Sequence, residues 1–192
     1  MKKKIFLILI LFFGSINISN AEVNRIVAGN KDAKITIIAY ESLTCSHCAD
    51  FHKDIYPQLK KDFIDTGLAK IEFRHFPLDV AAFNASKISQ CKSNESLKIL
   101  NSLYSNQQEW VRGNTVEEIN GNLKKFIKSQ GFEINFEKCI NNKEIEDFVL
   151  NDRIDGTKNF KISSTPTIII NNKKFEKTLN YKNLKKALEK LI

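Results

Sequence analysis

The period of apolar positions changes several times along this chain. Lys34 to Tyr40, KITIIAY, is rich in β-branched residues and follows the turn-forming Asn30, Lys31 and Asp32, which predicts a buried strand. From Ala49 the period becomes helical: Phe51, Ile55, Leu59 and Phe63 recur every four residues and share a face. Pro57 is expected to kink that helix and Gly67 to end it. Ala69 to Phe76, AKIEFRHF, alternates Ile71, Phe73 and His75 against Lys70, Glu72 and Arg74, the pattern of a second strand. The two strands should be parallel, with a right-handed crossover.

Between about Asp79 and Phe160 every period is helical. The expected helices are Val80–Cys91, Glu95–Ser105, Thr115–Gln130, Phe136–Asn141 and Lys143–Phe160, with breaks at Gly113, Asn114 and Gly131. Strand character returns near Ser163. Thr167 to Asn171 is TIIIN, Asn171-Asn172 suits a turn, and Lys173 to Lys177 reads as a returning strand. Tyr181 to Ile192 predicts a closing amphipathic helix with Leu184, Leu188 and Leu191 on one face. The order implies an α/β domain, residues 22–78 and 161–192, into which an all-helical lobe, residues 79–160, has been inserted.

Residues 1–21 read differently. Lys2, Lys3 and Lys4 precede an apolar run from Ile5 to Phe13, and Ser19-Asn20-Ala21 is small at both ends, the order of a secretory signal peptide. That run is shorter than the roughly 20 residues a spanning helix needs. Cleavage near Ala21 and export are therefore expected. The formal net charge is +8, three units of which belong to this leader. The other lysines are interleaved with Glu and Asp as on a solvated surface. No basic stripe with interleaved aromatics points to nucleic acid.

Four cysteines, Cys45, Cys48, Cys91 and Cys139, allow three pairings, and an exported protein with an even count suggests disulfides. The spacing singles out Cys45–Cys48 with Cys91–Cys139. A bridge at Cys91–Cys139 would close a loop of about 48 residues and stabilise the lobe by about 4 kcal/mol in the chain-entropy model. Two free thiols, or a second redox pair, are the alternatives. Cys45-Ser46-His47-Cys48 lies between a strand and a helix, which is the setting of a redox centre. Free N–H groups and the dipole at a helix N-terminus favour a thiolate there, with Thr44 expected as the cap. Cys45 is then the nucleophile, Cys48 one turn on resolves the mixed disulfide, and His47 adds positive charge or a hydrogen bond. Zinc requires four ligands, and no second close pair of candidates exists, so no metal or cofactor is expected. His52 and His75 read as packing or surface residues.

The segment SLTCSHCADFHKDIYP resembles the active-site helix of DsbA-family proteins, whose motif is commonly Cys-Pro-His-Cys. Ser164-Thr165-Pro166-Thr167 resembles the family's cis-proline loop, and the helical block occupies the family's place between the two halves of a thioredoxin-like fold. The resemblance implies a cis bond between Thr165 and Pro166, lying against the two thiols and binding substrate backbone, with Thr165 offering its backbone and hydroxyl. It also implies an exported, periplasmic thiol–disulfide oxidoreductase that introduces disulfides into unfolded exported proteins with free cysteines. A DsbB-like membrane oxidant would regenerate it, a monomer is expected, and an apolar surface near Leu43, His47 and Pro166 would receive substrates. Three departures stand out. Ser46 replaces the usual proline. Ala39 occupies the place of the family's buried glutamate, and the acid is Glu41, which shares that strand parity and either moves protons for Cys48 or is a solvated strand end. Thr165 stands where many strong oxidases carry valine and resembles the isomerase relatives. The rival readings are a disulfide isomerase or reductase of the same fold, and a non-catalytic thiol metal-binding module.

Overall fold

A computed structural model describes residues 23–192; the leader reading at 1–21 lies outside the described residues. Five strands form one mixed sheet among them, in the order β1-β3-β2-β4-β5. The long strands β2 (Ile35–Glu41) and β3 (Ala69–His75) pair in parallel, with Ile37 opposite Ile71 and Glu41 opposite His75. β4 (Thr167–Ile170) runs antiparallel on the other side of β2, and β5 (Lys173–Lys174) is a two-residue edge strand whose side chains are exposed. Its turn uses Asn171 and Asn172 with φ of 44° and 63°, values asparagine tolerates better than most residues. β5 is shorter than the Lys173–Lys177 expectation.

β1 (Ile26–Gly29) pairs antiparallel with β3 and was not foreseen. Only Ile26 and Ala28 alternate inward, too brief a pattern to stand out from a loop.

Burial explains the β2 sequence. Ile35, Ile37 and Ala39 face the main core beneath the helix that follows Cys45, while Ile38 and Tyr40 face a second, smaller core with Phe76, Ile162 and Ile169. A strand covered on both sides needs apolar residues at successive positions, which is the KITIIAY run. Gly156 closes the smaller core: a Cβ there would lie 2.8 Å from Tyr40 Cε1.

The helix after β2 is not regular. It comprises α1 (Ser46–Asp50), a π-helical turn at Phe51–Ile55, α2 (Tyr56–Leu59) and a second π-helical turn at Lys60–Ile64. Pro57 sits between the two π turns and has no N–H to continue the i→i−4 ladder. Helical structure ends before Gly67, at φ 77°.

The lobe comprises α3 (Val80–Gln90), α4 (Ser96–Ser105), α5 (Gln107–Trp110), α6 (Val116–Ser129), α7 (Phe136–Ile140) and α8 (Lys143–Phe160). Asp79, Thr115, Asn135 and Asn142 cap four of these helices by accepting from backbone N–H groups of the first turn. The one-turn α5 carries too few residues to show a period. The chain closes with α9 (Tyr181–Leu188), whose Leu184 and Leu188 are buried, and a 3₁₀ turn over Glu189–Leu191.

Polar ties bind the lobe to the sheet. The buried Asp152 of α8 pairs with Arg25 and accepts the His75 N–H at 3.1 Å. Arg153 donates to the Pro77 carbonyl at 2.7 Å. Cys91 and Cys139 form a disulfide across 48 residues, joining the end of α3 to α7. Among the described residues no helix is long and apolar enough to cross a membrane.

Candidate functional site

Cys45, Cys48, His47, Glu41, Thr165 and Pro166 all gather at the C-terminal end of β2. Both thiols of the CxxC are free, Cys48 buried and Cys45 half-buried. The Thr165–Pro166 peptide is cis. It brings the Thr165 carbonyl to the first thiol, where Cys45 Sγ donates to it at 3.4 Å. The Thr165 hydroxyl is buried and has no partner while Cys45 is a thiol. It is therefore a spare donor for the sulfur once the sulfur is ionised.

The local chain departs from expectation at the cap. Thr44 does not cap the helix; its hydroxyl donates to Asp79 at 2.6 Å. Cys45 itself is the N-cap residue, with extended φ and ψ and no side-chain cap bond. Its sulfur thus sits where the first N–H groups of the helix remain unpaired. Leu43 is also corrected: it is 1% exposed and packs in the core. The groove beside Pro166 is lined instead by Phe51, Ile55 and Leu179, with His47 at its rim.

The two thiols are pushed in opposite directions. Cys45 falls to about 5, chiefly because the Cys48 thiol donates to its thiolate, with further help from Thr165 and from the backbone N–H groups of Cys48 and His47. Partial burial opposes this. The donor that matters most is therefore a neighbouring thiol rather than the helix end alone. Burial pushes Cys48 far above the ordinary thiol range, and the neighbouring Cys45 and the charge of Glu41 push it further. His47 contributes its backbone N–H; its ring is largely exposed and lies 3.6 Å from Asp50.

Glu41 is not a solvated strand end. It is 3% exposed, and its Oε2 lies 2.8 Å from Nε2 of the buried His52. Burial raises its carboxyl above the usual range, and His52 pulls it back. His52, read from sequence as packing or surface, is thus the polar partner of Glu41. Period alone cannot show this, because helical spacing does not encode a partner on a different element eleven residues away.

Gln107 of α5 is a further residue that sequence reading missed. Its side-chain amide donates to the carbonyls of Leu43 at 2.8 Å and Cys45 at 3.0 Å, pinning the lobe to the loop that carries the thiols. No spacing in the sequence marks this pairing across more than sixty residues.

Comparison with known proteins places this geometry in context. The thioredoxin family model matches residues 21–190. A Rickettsia bellii protein whose name includes the words protein-disulfide oxidoreductase is 29% identical over 171 residues, covering 88% of this chain and 65% of that protein. Disulfide bond formation protein D of Bacillus subtilis is 27% identical over 174 residues, covering 85% of this chain and 75% of that one. The crystal structure of Wolbachia pipientis alpha-DsbA1 superposes with a TM-score of 0.78 at 28% identity, covering 88% of this chain and 90% of that one. The chain spans 62 to 65% of the length of the Rickettsia bellii and Rickettsia prowazekii relatives.

Proposed function

The chain belongs to the thioredoxin family, and within it we propose an exported protein-disulfide oxidoreductase that introduces disulfides by exchange at Cys45–Cys48. The observation carrying this reading is the opposed state of the two thiols, one ionised at neutral pH and half-exposed, the other buried and neutral. A substrate thiolate attacks Cys45 Sγ of the enzyme disulfide, and the sulfur–sulfur bond breaks. Cys48 leaves as a thiolate and takes up a proton. The substrate's second thiolate then attacks its own sulfur in the mixed disulfide, and Cys45 leaves as a thiolate. The substrate has lost two electrons and two protons. The enzyme has gained both electrons and one proton, and the other proton goes to solvent. A low-pKa leaving group departs readily and stabilises the reduced enzyme, so the disulfide is readily given away.

In this reading Thr165 and Pro166 receive the substrate backbone beside Cys45, and the groove with Phe51, Ile55 and Leu179 takes apolar side chains. His47 donates its backbone N–H to the thiolate, and Glu41 moves the Cys48 proton. Cys91–Cys139 is a structural bridge of the lobe. The substrates are unfolded exported proteins with free cysteines, and a DsbB-like membrane oxidant returns the enzyme to the disulfide form. Residues 1–21 direct export to the periplasm, where the protein acts as a monomer.

A second reading, disulfide isomerase, is favoured by Thr165 at the place where many strong oxidases carry valine. The rates of peptide oxidation and of scrambled-protein refolding separate the two, and equilibration of Cys45–Cys48 with glutathione sets both apart from a reductase. A potential well above the roughly −270 mV of thioredoxin, with rapid oxidation of a reduced peptide, is expected. A potential near that value would reject the oxidase in favour of a reductase, and refolding of a scrambled protein as the faster reaction would reject it in favour of the isomerase.

A further inference from the structure

Directly beneath the thiols lies a small polar island in an apolar core. Glu41 closes β2, and its Oε2 meets His52 Nε2 at 2.8 Å. The His52 ring stacks on Tyr104 with centroids 4.0 Å apart and planes inclined by 17°. Phe73 at 5.1 Å and Tyr56 at 5.5 Å complete an aromatic box. Glu41 Oε1 is buried and has no hydrogen-bond partner. A carboxylate in such a place is costly unless its charge is matched. One proton shared between Glu41 and His52 keeps the pair neutral and leaves Oε1 as a vacant acceptor.

The thiol above this pair needs an acceptor of that kind. Cys48 is buried, and both Cys45 and the Glu41 charge oppose its ionisation. Its burial makes direct loss of the proton to water slow near neutral pH. Tyr104 supplies the other end of a path. Its hydroxyl interacts with Glu41, and burial keeps it protonated. Tyr104 also borders a cleft of about 680 Å³ on the lobe side of α1, with Ser46, Lys53, Asn106 and Arg112. The remaining ionisable groups around the pair are Cys45 at the N-cap of α1, Tyr56 on α2, and His75, which is opposite Glu41 in β3 but bonded to Gln90. Asp50 and Glu109 also line that cleft.

We propose that His52 is a positioning residue for the proton that Cys48 gains and loses: paired with Glu41 it holds one shared proton beneath the thiols, and Tyr104 passes protons between that pair and the lobe-side cleft. The inference rests on the oxidoreductase reading of Cys45–Cys48. During re-oxidation by a disulfide, the Cys45 thiolate attacks one sulfur and releases the first thiolate. Cys48 gives its proton to Glu41 as its sulfur attacks Cys45 Sγ, which releases the second. Two electrons pass to the oxidant, and the proton leaves through Tyr104. Without His52, burial holds Glu41 protonated, and Oε1 no longer accepts.

The test is the pH profile of ring closure. Cys45 is converted to its mixed disulfide with glutathione, and release of glutathione by Cys48 is timed from pH 5.5 to 8.5, a window of about three units around neutrality. The wild type should close at a nearly constant rate. H52Q keeps a hydrogen bond to Glu41 but carries no charge, and H52F keeps the stacking but neither bond nor charge. Both should close at least roughly tenfold more slowly at the acid end, out of the roughly 10²–10⁴ that positioned proton transfer supplies. Their rates should climb about tenfold per unit as hydroxide takes over. Tyr104→Phe, which keeps the ring, should fall between them and the wild type. A wild-type profile in H52Q, whose side chain preserves polarity and the approximate volume, would overturn the inference while leaving the oxidoreductase intact. Failure of the wild type to form or release the mixed disulfide would instead remove the enzymatic reading, and this inference with it.

Discussion

Replacing Cys48 by alanine removes the S–H that does most to keep the Cys45 thiolate low. A hydrogen bond to a charged acceptor contributes about 1.5–3 kcal/mol, and one pH unit corresponds to about 1.4 kcal/mol. The Cys45 pKa should therefore rise from about 5 by about 1–2 units in Cys48→Ala. Cys48→Ser retains an O–H donor at the same place and should stay close to the wild type. Because Cys91 and Cys139 are bonded to each other, Cys45 is then the sole free thiol. Its ionisation is followed by ultraviolet thiolate absorbance and by the rate of iodoacetamide labelling against pH. At pH near 5 the alanine variant should label roughly 5–50-fold more slowly than the serine variant, because only the thiolate reacts. If both titrate together near the wild-type value, the backbone N–H groups alone hold the thiolate, and the thiol–thiol hydrogen bond is irrelevant.

Three other outcomes follow from the fold. Cys91→Ala with Cys139→Ala opens the 48-residue loop and should cost up to about 4 kcal/mol in urea unfolding, with the Cys45–Cys48 exchange retained; an unchanged midpoint would refute a structural bridge. Gly156→Ala drives a Cβ into the Tyr40 ring and should destabilise by about 1–3 kcal/mol, measured by thermal melting, with a neutral result showing that the ring can move. His75, buried beside Gln90, is held at about 3 by burial and by Arg25. The unfolded chain binds the proton first, so stability is intact above the ordinary histidine value and falls as pH drops below it, by at most about 1.4 kcal/mol per unit. His75→Gln should flatten that slope in denaturation between pH 4 and 6.5, a range of about two and a half units, and an unaltered slope would assign the acid sensitivity elsewhere.

Much of the arrangement was legible because it rests on repeating patterns. The two-sided burial of β2 requires a continuous apolar run, and the long lobe helices show their period over three or more turns. The bounds of α8, Lys143–Phe160, follow from Asn142 as the cap and the end of the period at Phe160. The thiols and the proline loop were legible because a few residue types at fixed spacing carry their chemistry. What escaped was either short or non-local. β1 and α5 are single four-residue elements. Gln107, Asp79 and His52 act through side-chain bonds to residues on other elements, and no period encodes such partners. Thr44 illustrates the limit: the residue type suits a cap, yet a carboxylate 35 positions away takes its hydroxyl.

The edge strand β5 has a consequence for the proposed exchange with unfolded chains. Unfolded chains seek unpaired strand edges, and a long apolar edge would zip them into aggregates. Here the border beside β4 offers two residues, Lys173 and Lys174, both exposed and of like charge. Under that proposal a client held at Cys45 would find too little ladder to extend and a repulsive charge for any basic segment. Release after exchange would be favoured over adhesion, and lengthening this margin with valines would make it a seed for fibres.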